Sequence, residues 1–240
     1  MNTNIVIHWD CLEVMKSIPN GSIDAIITDT PYWTTACKWD SVIPFEPMWK
    51  ELKRIIKPNG AIVLFGSEPF SSALRMSNIK DYKYDWIWEK SRPVWFLQAN
   101  KQPMRNYENI MVFYKDFPLY NPQWVIECNK QVNRTTQWEN YRPAKSNNYT
   151  QTKTNYPRQV LKISSEWKTV HPTQKPVALI EYLIRTYTNE WETVLDFTAW
   201  SGTTWVACQN TNRKYILIEK DEWYYEISKE RLLKNKILLW

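Results

Sequence analysis

Two short segments carry the residue types and spacing that could do chemistry. Asp29-Thr30-Pro31-Tyr32 follows the apolar run Ala25-Ile26-Ile27-Thr28, and Asp196-Phe197-Thr198-Ala199-Trp200-Ser201-Gly202-Thr203-Thr204 follows Val194-Leu195. An acid at a strand end, with a proline and an aromatic ring after it, can hold a nucleobase drawn out of its stack. Asp29 would accept a hydrogen bond from an exocyclic amino group, a neighbouring main-chain carbonyl would accept a second, and Tyr32 would offer a face for stacking. Two acceptors on one amino group turn its lone pair towards an electrophile. Alone, the tetrapeptide reads more readily as a turn closing over a buried tyrosine.

The elements that must position these segments follow from the hydrophobic pattern. Short β-branched runs alternate with helical spacing, which predicts an α/β fold with a mostly parallel sheet and helices on both faces. Strands are expected at Ile5 to His8, Ile23 to Thr28, Ala61 to Phe65, Tyr84 to Trp88, Ile110 to Tyr114, Thr193 to Asp196 and Tyr215 to Glu219. Helical spacing marks Met48, Leu52, Ile55 and Ile56, closing at Pro58-Asn59-Gly60, and again Leu179, Leu183, Ile184 and Tyr187 behind Pro176. From about Asp116 to Glu166 the periodicity fades while Asn, Gln, Thr and Pro accumulate, as in an insertion. Sheets of this kind bind ligands outside the carboxyl ends of their strands, so both segments should face one crevice.

Composition narrows the class. The 240 residues are 43% hydrophobic and 23% charged, enough for one substantial core. No run of eighteen apolar residues and no leader is visible, and Cys11, Cys37, Cys128 and Cys208 are scattered without His partners. These features predict a cytoplasmic protein with no membrane span, no disulfide framework and no metal site. Lys and Arg exceed Asp and Glu by 31 to 25, and the insertion holds Lys130, Arg134, Arg142, Lys145, Lys153, Arg158 and Lys162, with Lys168 just beyond, among amides and aromatics. Cations in that company suit phosphate and base contacts, although a solvated loop with ordinary lysines would look the same.

The chain also resembles a known family. Asp29-Thr30-Pro31-Tyr32 is similar to the Asp-Pro-Pro-Tyr motif of amino-directed DNA methyltransferases, and residues 196–204 resemble their Phe-x-Gly-x-Gly cofactor loop. The similarity extends to His8-Trp9-Asp10-Cys11-Leu12 with Met15 and Ile18-Pro19, to Val63-Leu64-Phe65-Gly66, to Trp86-Ile87-Trp88-Glu89-Lys90 and to Asn106-Tyr107-Glu108-Asn109-Ile110. His171-Pro172-Thr173-Gln174-Lys175-Pro176 with Leu179, Ile180 and Glu181 is the most specific match. Catalytic motif, insertion and cofactor loop in that order characterise the beta group of these enzymes.

The resemblance implies a Rossmann-like methyltransferase fold, with residues 1–115 as the catalytic part, 116–166 as the target-recognition insertion and 167–240 as the cofactor-binding part. It implies S-adenosylmethionine as methyl donor, double-stranded DNA as partner, no metal, a bacterial or phage-encoded source, and leaves a homodimer open. Asp29, Pro31 and Tyr32 would hold the base. Asp196, Phe197, Thr198, Trp200, Ser201, Gly202 and Thr203 would form the turn around the cofactor's methionine part, and Glu219 would accept from the ribose hydroxyls. Asp10 would lie near the cofactor's adenine and Lys175 near its methionine end, each with a helix cap or an ion pair as the competing role. His171 is expected to be structural. Aspartate as the first motif residue, where cytosine-specific relatives usually carry serine, points to adenine; cytosine remains the alternative. A nicotinamide-dependent oxidoreductase is disfavoured because no G-x-G-x-x-G follows the first strand.

Glycine and tryptophan depart from the family. Only Gly21, Gly60, Gly66 and Gly202 are present, against 15 tryptophans, where ordinary usage gives about 17 glycines. Trp9, Trp33, Trp167, Trp191, Trp200 and Trp205 stand where the family has or tolerates glycine, and Trp95, Trp124 and Trp138 occupy similar loops. Trp39, Trp49, Trp86 and Trp88 instead sit where large apolar residues belong. The hypothesis is a gene whose UGA codons mean glycine in their own genome and have been read as tryptophan; a degenerate, inactive DNA-binding copy is the competitor. The expected outcome is UGA at those nine positions and UGG at Trp39, Trp49, Trp86 and Trp88 in the gene sequence, and UGG throughout would end the idea.

Overall fold

The computed structural model describes residues 2–32, 41–133, 148–166 and 174–237. Its main body holds an eight-stranded sheet. In chain order the strands are β1 (Ile5–His8), β2 (Ile23–Thr28), β3 (Ile56–Gly66), β4 (Tyr82–Val94), β5 (Arg105–Phe113), β8 (Val160–Lys162), β9 (Thr193–Asp196) and β10 (Lys214–Glu219). They lie side by side in the order β1-β10-β9-β2-β3-β5-β4-β8, and only β5 runs antiparallel to its neighbours. Helices α1 (Cys11–Ser17), α2 (Phe45–Ile55) and α3 (Phe70–Ser77) precede β2, β3 and β4; α4 (Val177–Tyr187), α5 (Thr203–Asn210) and α6 (Glu222–Ile237) belong to the second half.

The central strands are apolar throughout because both faces are covered. Ala25 and Ile27 of β2, Val63 and Phe65 of β3 and Val194 of β9 point into a core closed by Leu179, Leu183 and Trp205 of α4 and α5. Their neighbours Ile26, Ile62, Leu64 and Leu195 point to the opposite core, closed by Met15, Leu52 and Leu74 of α1, α2 and α3. Period-two alternation thus persists inside runs that read as uniformly hydrophobic.

The expected bounds of β1, β2 and β9 coincide with the observed ones, and the fold class is the expected one. One punctuation signal acts differently. Pro58-Asn59-Gly60 does not lie in a loop after α2 but inside β3, because the pairing of β2 with β3 slips between Ile23↔Ile56 and Ala25↔Ala61. A Cβ on Gly60 would stand 2.7 Å from the Asp24 carbonyl oxygen, so glycine lets the bulge close. The region 116–166 divides: Pro122–Arg158 forms a second compact unit, built on the hairpin β6 (Ile126–Asn133) and β7 (Asn148–Thr154), whereas β8 belongs to the main sheet. Arg134, Arg142, Lys145 and Lys168 lie outside the described residues, as do Trp33, Cys37, Trp39, Trp138, Trp167 and His171.

The tryptophans fall into two groups. Trp49, Trp86 and Trp88 are buried, and each indole N–H has an acceptor: Ser77 Oγ at 2.8 Å, Tyr187 Oη at 2.7 Å and the Ile163 carbonyl at 2.8 Å. Trp95, Trp124, Trp191 and Trp200 instead adopt φ of 73°, 62°, 68° and 47°, the left-handed region that Cβ disfavours by roughly 1–2 kcal/mol. Among the described residues the other non-glycine positions there are asparagines, the usual exception. Four of the six described glycine-like positions therefore have the backbone of glycine. Trp9 is exposed in ordinary conformation, and Trp205 is a buried helical residue packed against Tyr215, so these two carry no backbone signal.

Trp191 is 66% exposed, which separates backbone cost from packing. Trp191→Gly is expected to raise the unfolding free energy by about 1 kcal/mol, whereas Trp86→Gly should lower it by about 3 kcal/mol or more. Urea titrations of both variants check this; a loss at Trp191 like that at Trp86 would contradict it.

Candidate active site

The site is assembled by the adjacency of β2 and β9, which pair in parallel through Ala25↔Val194 and Ile26↔Leu195. Their carboxyl ends carry Asp29 and Asp196 to the same edge. Asp196 is buried and fully occupied: Oδ1 accepts from Thr28 Oγ1 at 3.0 Å and the Thr198 amide at 3.1 Å, and Oδ2 from Thr204 Oγ1 at 2.5 Å. Burial nevertheless pushes its carboxyl up to about 6. The Phe197 amide donates to Thr28 Oγ1 at 3.1 Å, and Phe197 is 1% exposed, anchoring the loop in the core.

The loop then turns through Ala199, whose amide reaches the Ile218 carbonyl at 2.9 Å, to Gly202 at φ 76°, which caps α5. A Cβ on Gly202 would stand 3.1 Å from Ser228 Cβ, so both its conformation and its space suit glycine. Ser201 faces Gln174 Oε1 at 3.4 Å, and Arg231 donates to the Ser201 carbonyl at 2.5 Å.

Asp29 is the hub of the site. Its carboxylate accepts from the Tyr32 hydroxyl and pairs with Lys175 Nζ at 2.5 Å. Lys175 is 5% exposed and also lies 3.2 Å from Glu108 Oε2, while Glu108 Oε1 pairs with Lys90 Nζ at 2.5 Å. Burial pushes the Asp29 carboxyl above the ordinary range, with Glu108 adding to the rise and Lys175 opposing it. Burial works against the Lys175 ammonium too, but Asp29 and Glu108 outweigh it and hold the ammonium above its usual value. Tyr32 lies against Phe70, with ring centroids 5.3 Å apart, and Lys175 Nζ stands 5.7 Å from the Tyr32 ring centre. Pro31 is buried beside them.

Two cavities open at this edge. One, of about 450 Å³, is lined by Asp10, Pro31, Phe197, Thr198, Glu219 and Lys220 among others, and the second, of about 30 Å³, by Asp29, Phe65, Lys175, Asp196, Ser201 and Thr203. Among the described residues Trp200 alone lines both. Its indole Nε1 donates to the Asp29 carbonyl at 2.7 Å, an oxygen that also accepts from Thr198 Oγ1 at 3.0 Å. The indole therefore stands between the larger cavity and Asp29.

Glu219 ends β10 at the larger cavity. It accepts from the Trp200 amide at 2.7 Å and the Asp221 amide at 2.8 Å, and burial pushes it up to about 7. Asp10 caps α1 by accepting from the Leu12 amide at 2.9 Å and pairs with Lys220 at 3.0 Å. It thus fills both structural roles weighed for it while also lining the cavity. The sequence reading gave no role to Glu108, Lys90 or Thr28. Glu108 carried one signal, an acid just ahead of the apolar run Ile110–Phe113, but its partner could not be read without the strand register.

The arrangement defines a Rossmann-like α/β protein with one acid, Asp29, at the smaller cavity and another, Glu219, at the larger. A family model described as DNA methylase matches residues 23–230. The chain belongs to this N6/N4 DNA methylase family. It is 26% identical over 258 residues to the type II methyltransferase M2.LlaDCHI of Lactococcus lactis subsp. cremoris, covering 96% of this chain and 90% of that one. It is 29% identical over 251 residues to the DNA adenine methyltransferase YhdJ of Escherichia coli, covering 95% and 82%. Among solved structures, the M1.HpyAVI–SAM complex superposes with a TM-score of 0.63 at 27% identity over 94% of this chain and 98% of that one. The cytosine-N4-specific PvuII methyltransferase, at 16% identity and a TM-score of 0.70 over 95% and 86%, shares the fold.

The polar groups fit S-adenosylmethionine, with Glu219 lining the larger cavity and Asp196 bracing the turn, but the Trp200 side chain does not. Trp200→Gly is expected to join the two cavities and to raise affinity for S-adenosylhomocysteine at least tenfold in calorimetry, with Trp33→Gly adding to it; unchanged affinity would refute the steric reading. In that variant, affinity should climb with pH through about 7 as Glu219 ionises and then level off. Protonated Glu219 loses an acceptor for the ribose hydroxyls, so Glu219→Gln should give weaker and flatter binding.

Proposed function

We propose that this chain, with glycine at position 200, methylates the exocyclic amino group of adenine in double-stranded DNA, with S-adenosylmethionine as donor. The observation that carries the reading is Asp29: a buried carboxylate at the end of β2, bonded to Tyr32 and ion-paired to Lys175, beside the loop of residues 196–204. Aspartate as the first motif residue and relatives that act on adenine support adenine over cytosine.

The residue roles follow from what each side chain touches. Tyr32 offers its ring to the extruded base, and Pro31 fixes the turn that presents it. Asp29 accepts from the amino group and leaves its lone pair facing the donor. Lys175 keeps Asp29 ionised against the cost of burial, and Glu108 balances Lys175. When bound, S-adenosylmethionine supplies an electrophilic methyl on its sulfonium. Glu219, Asp10 and the 196–203 turn would bind and orient it, with Trp9 and Lys220 at the cavity rim. Positioning and polarisation supply the catalysis. The Pro122–Arg158 unit and the flanking basic residues of 116–166 serve target recognition. Each site residue comes from one chain, and the chemistry asks nothing of a second copy. The setting is the cytoplasm of a bacterial cell.

Methylation mapping of DNA from an unmethylated host expressing the Trp33→Gly/Trp200→Gly protein is expected to show N6-methyladenine within one sequence. Asp29→Ala should lower transfer more than a hundredfold while leaving DNA retention intact. Modification at cytosine N4 would replace adenine by cytosine in this reading, and DNA retention with no modification would identify a binding relic.

A further inference from the structure

Two of the most exposed apolar side chains among the described residues of the main body, Phe96 and Leu97, are adjacent in the chain. Residues 91–103, the end of β4 and most of its connection to β5, are all exposed, and at their centre Phe96 and Leu97 are 77% and 95% exposed. β4 runs parallel to β3 and β2, because both β3 and β4 pair antiparallel with β5. The β4–β5 connection therefore projects from the same edge that carries Asp29. The Lys90–Glu108–Lys175–Asp29 chain of ion pairs, at 2.5, 3.2 and 2.5 Å, links the base of the connection to the catalytic carboxylate.

This connection is built to hold a shape. Phe96–Gln98 form a 3-10 turn, with the Gln98 amide on the Trp95 carbonyl at 3.0 Å and the Ala99 amide on the Phe96 carbonyl at 3.0 Å. Arg105 fastens its base by donating to Ser67 Oγ at 3.2 Å and the Glu68 carbonyl at 3.0 Å. Between Glu89 and Glu108 there is no acid, while Lys90, Arg92, Lys101 and Arg105 are all cationic. Apolar tips on a stiff turn, ringed by cations alone, suit neither solvent nor an ordinary protein partner; they complement a polyanion with an apolar interior.

We propose that Phe96 and Leu97 form a wedge that enters the DNA base stack beside the target and occupies space vacated when the adenine is drawn towards Asp29. The proposal rests on the DNA-methylating reading and names the element that carries out extrusion. Side chains of this type inserted between base steps unstack them, and a filled gap slows the return of the base. Lys101 and Arg92 flank the tip, where phosphates of the opened step would lie.

The test compares binding of the full chain to two duplexes of the same random sequence, one intact and one with a single abasic site, by fluorescence anisotropy without cofactor. The wedge predicts tighter binding to the abasic duplex, on the order of tenfold. Phe96→Ala/Leu97→Ala should remove that preference while leaving affinity for the intact duplex within about twofold. Phe96→Tyr/Leu97→Met should keep it, and both variants should unfold at the wild-type urea midpoint because the positions are exposed. An abasic preference that survives the alanine pair overturns the wedge and leaves the DNA reading standing. Failure to bind either duplex overturns both. A dimer that dissociates in the alanine pair with the abasic preference unchanged assigns the tip to self-association instead.

Discussion

Parallel pairing of β2 with β9 is the constraint on which the site depends. Asp29 and the loop of residues 196–204 are separated in the chain by β3, β4, β5 and the whole insertion. The pairing closes that gap with main-chain hydrogen bonds, and three side-chain links lock it. Thr28 bonds Asp196, the Phe197 amide bonds Thr28, and Thr198 bonds the Asp29 carbonyl. The first two are buried and the third part-buried, surroundings in which an unmet donor costs more than a met one yields, so the two strand ends hold one mutual position. A family member could change its insertion freely as long as this contact survived.

Around that contact the protein buries charge in an ordered row. A lone carboxylate at Asp29 would be driven neutral by desolvation and would lose one of its acceptors. Lys175 opposes this, but a lysine so deeply buried would itself tend to shed its proton. Glu108 and Lys90 extend the row outward, and alternating signs make each member tolerable to the next. The row also links Asp29 to Lys90, close to the exposed β4–β5 connection.

Much of this was legible in the sequence. Uniform apolar runs fixed β1, β2 and β9 to the residue, and the acid-proline-aromatic motif together with the glycine-containing loop located both halves of the cleft. Three features were not legible, each for a physical reason. The place of Pro58-Asn59-Gly60 inside β3 depends on a bulge that Gly60 permits opposite Asp24, a long-range fit that local turn signals cannot report. β8 is three residues long and joins the sheet only because the edge of β4 is open to it. Glu108 acquires its role from the antiparallel register of β4 and β5, which pairs Trp88 with Glu108 and sets Lys90 beside it.

The tryptophans join these levels. Composition alone says that glycine is short and tryptophan in surplus; the backbone shows where this matters, because Trp95, Trp124, Trp191 and Trp200 stand in the conformation glycine is used for. At Trp200 the consequence reaches the proposed site, since the indole donates to the Asp29 carbonyl and stands between the two cavities. The most direct test of the account is a crystal structure of the protein with glycine at position 200 grown with S-adenosylhomocysteine. The account predicts the ribose on Glu219 and the sulfur beside Asp29 in one continuous cleft; a ligand confined to the Glu219 side, with Asp29 still shut off, would contradict it.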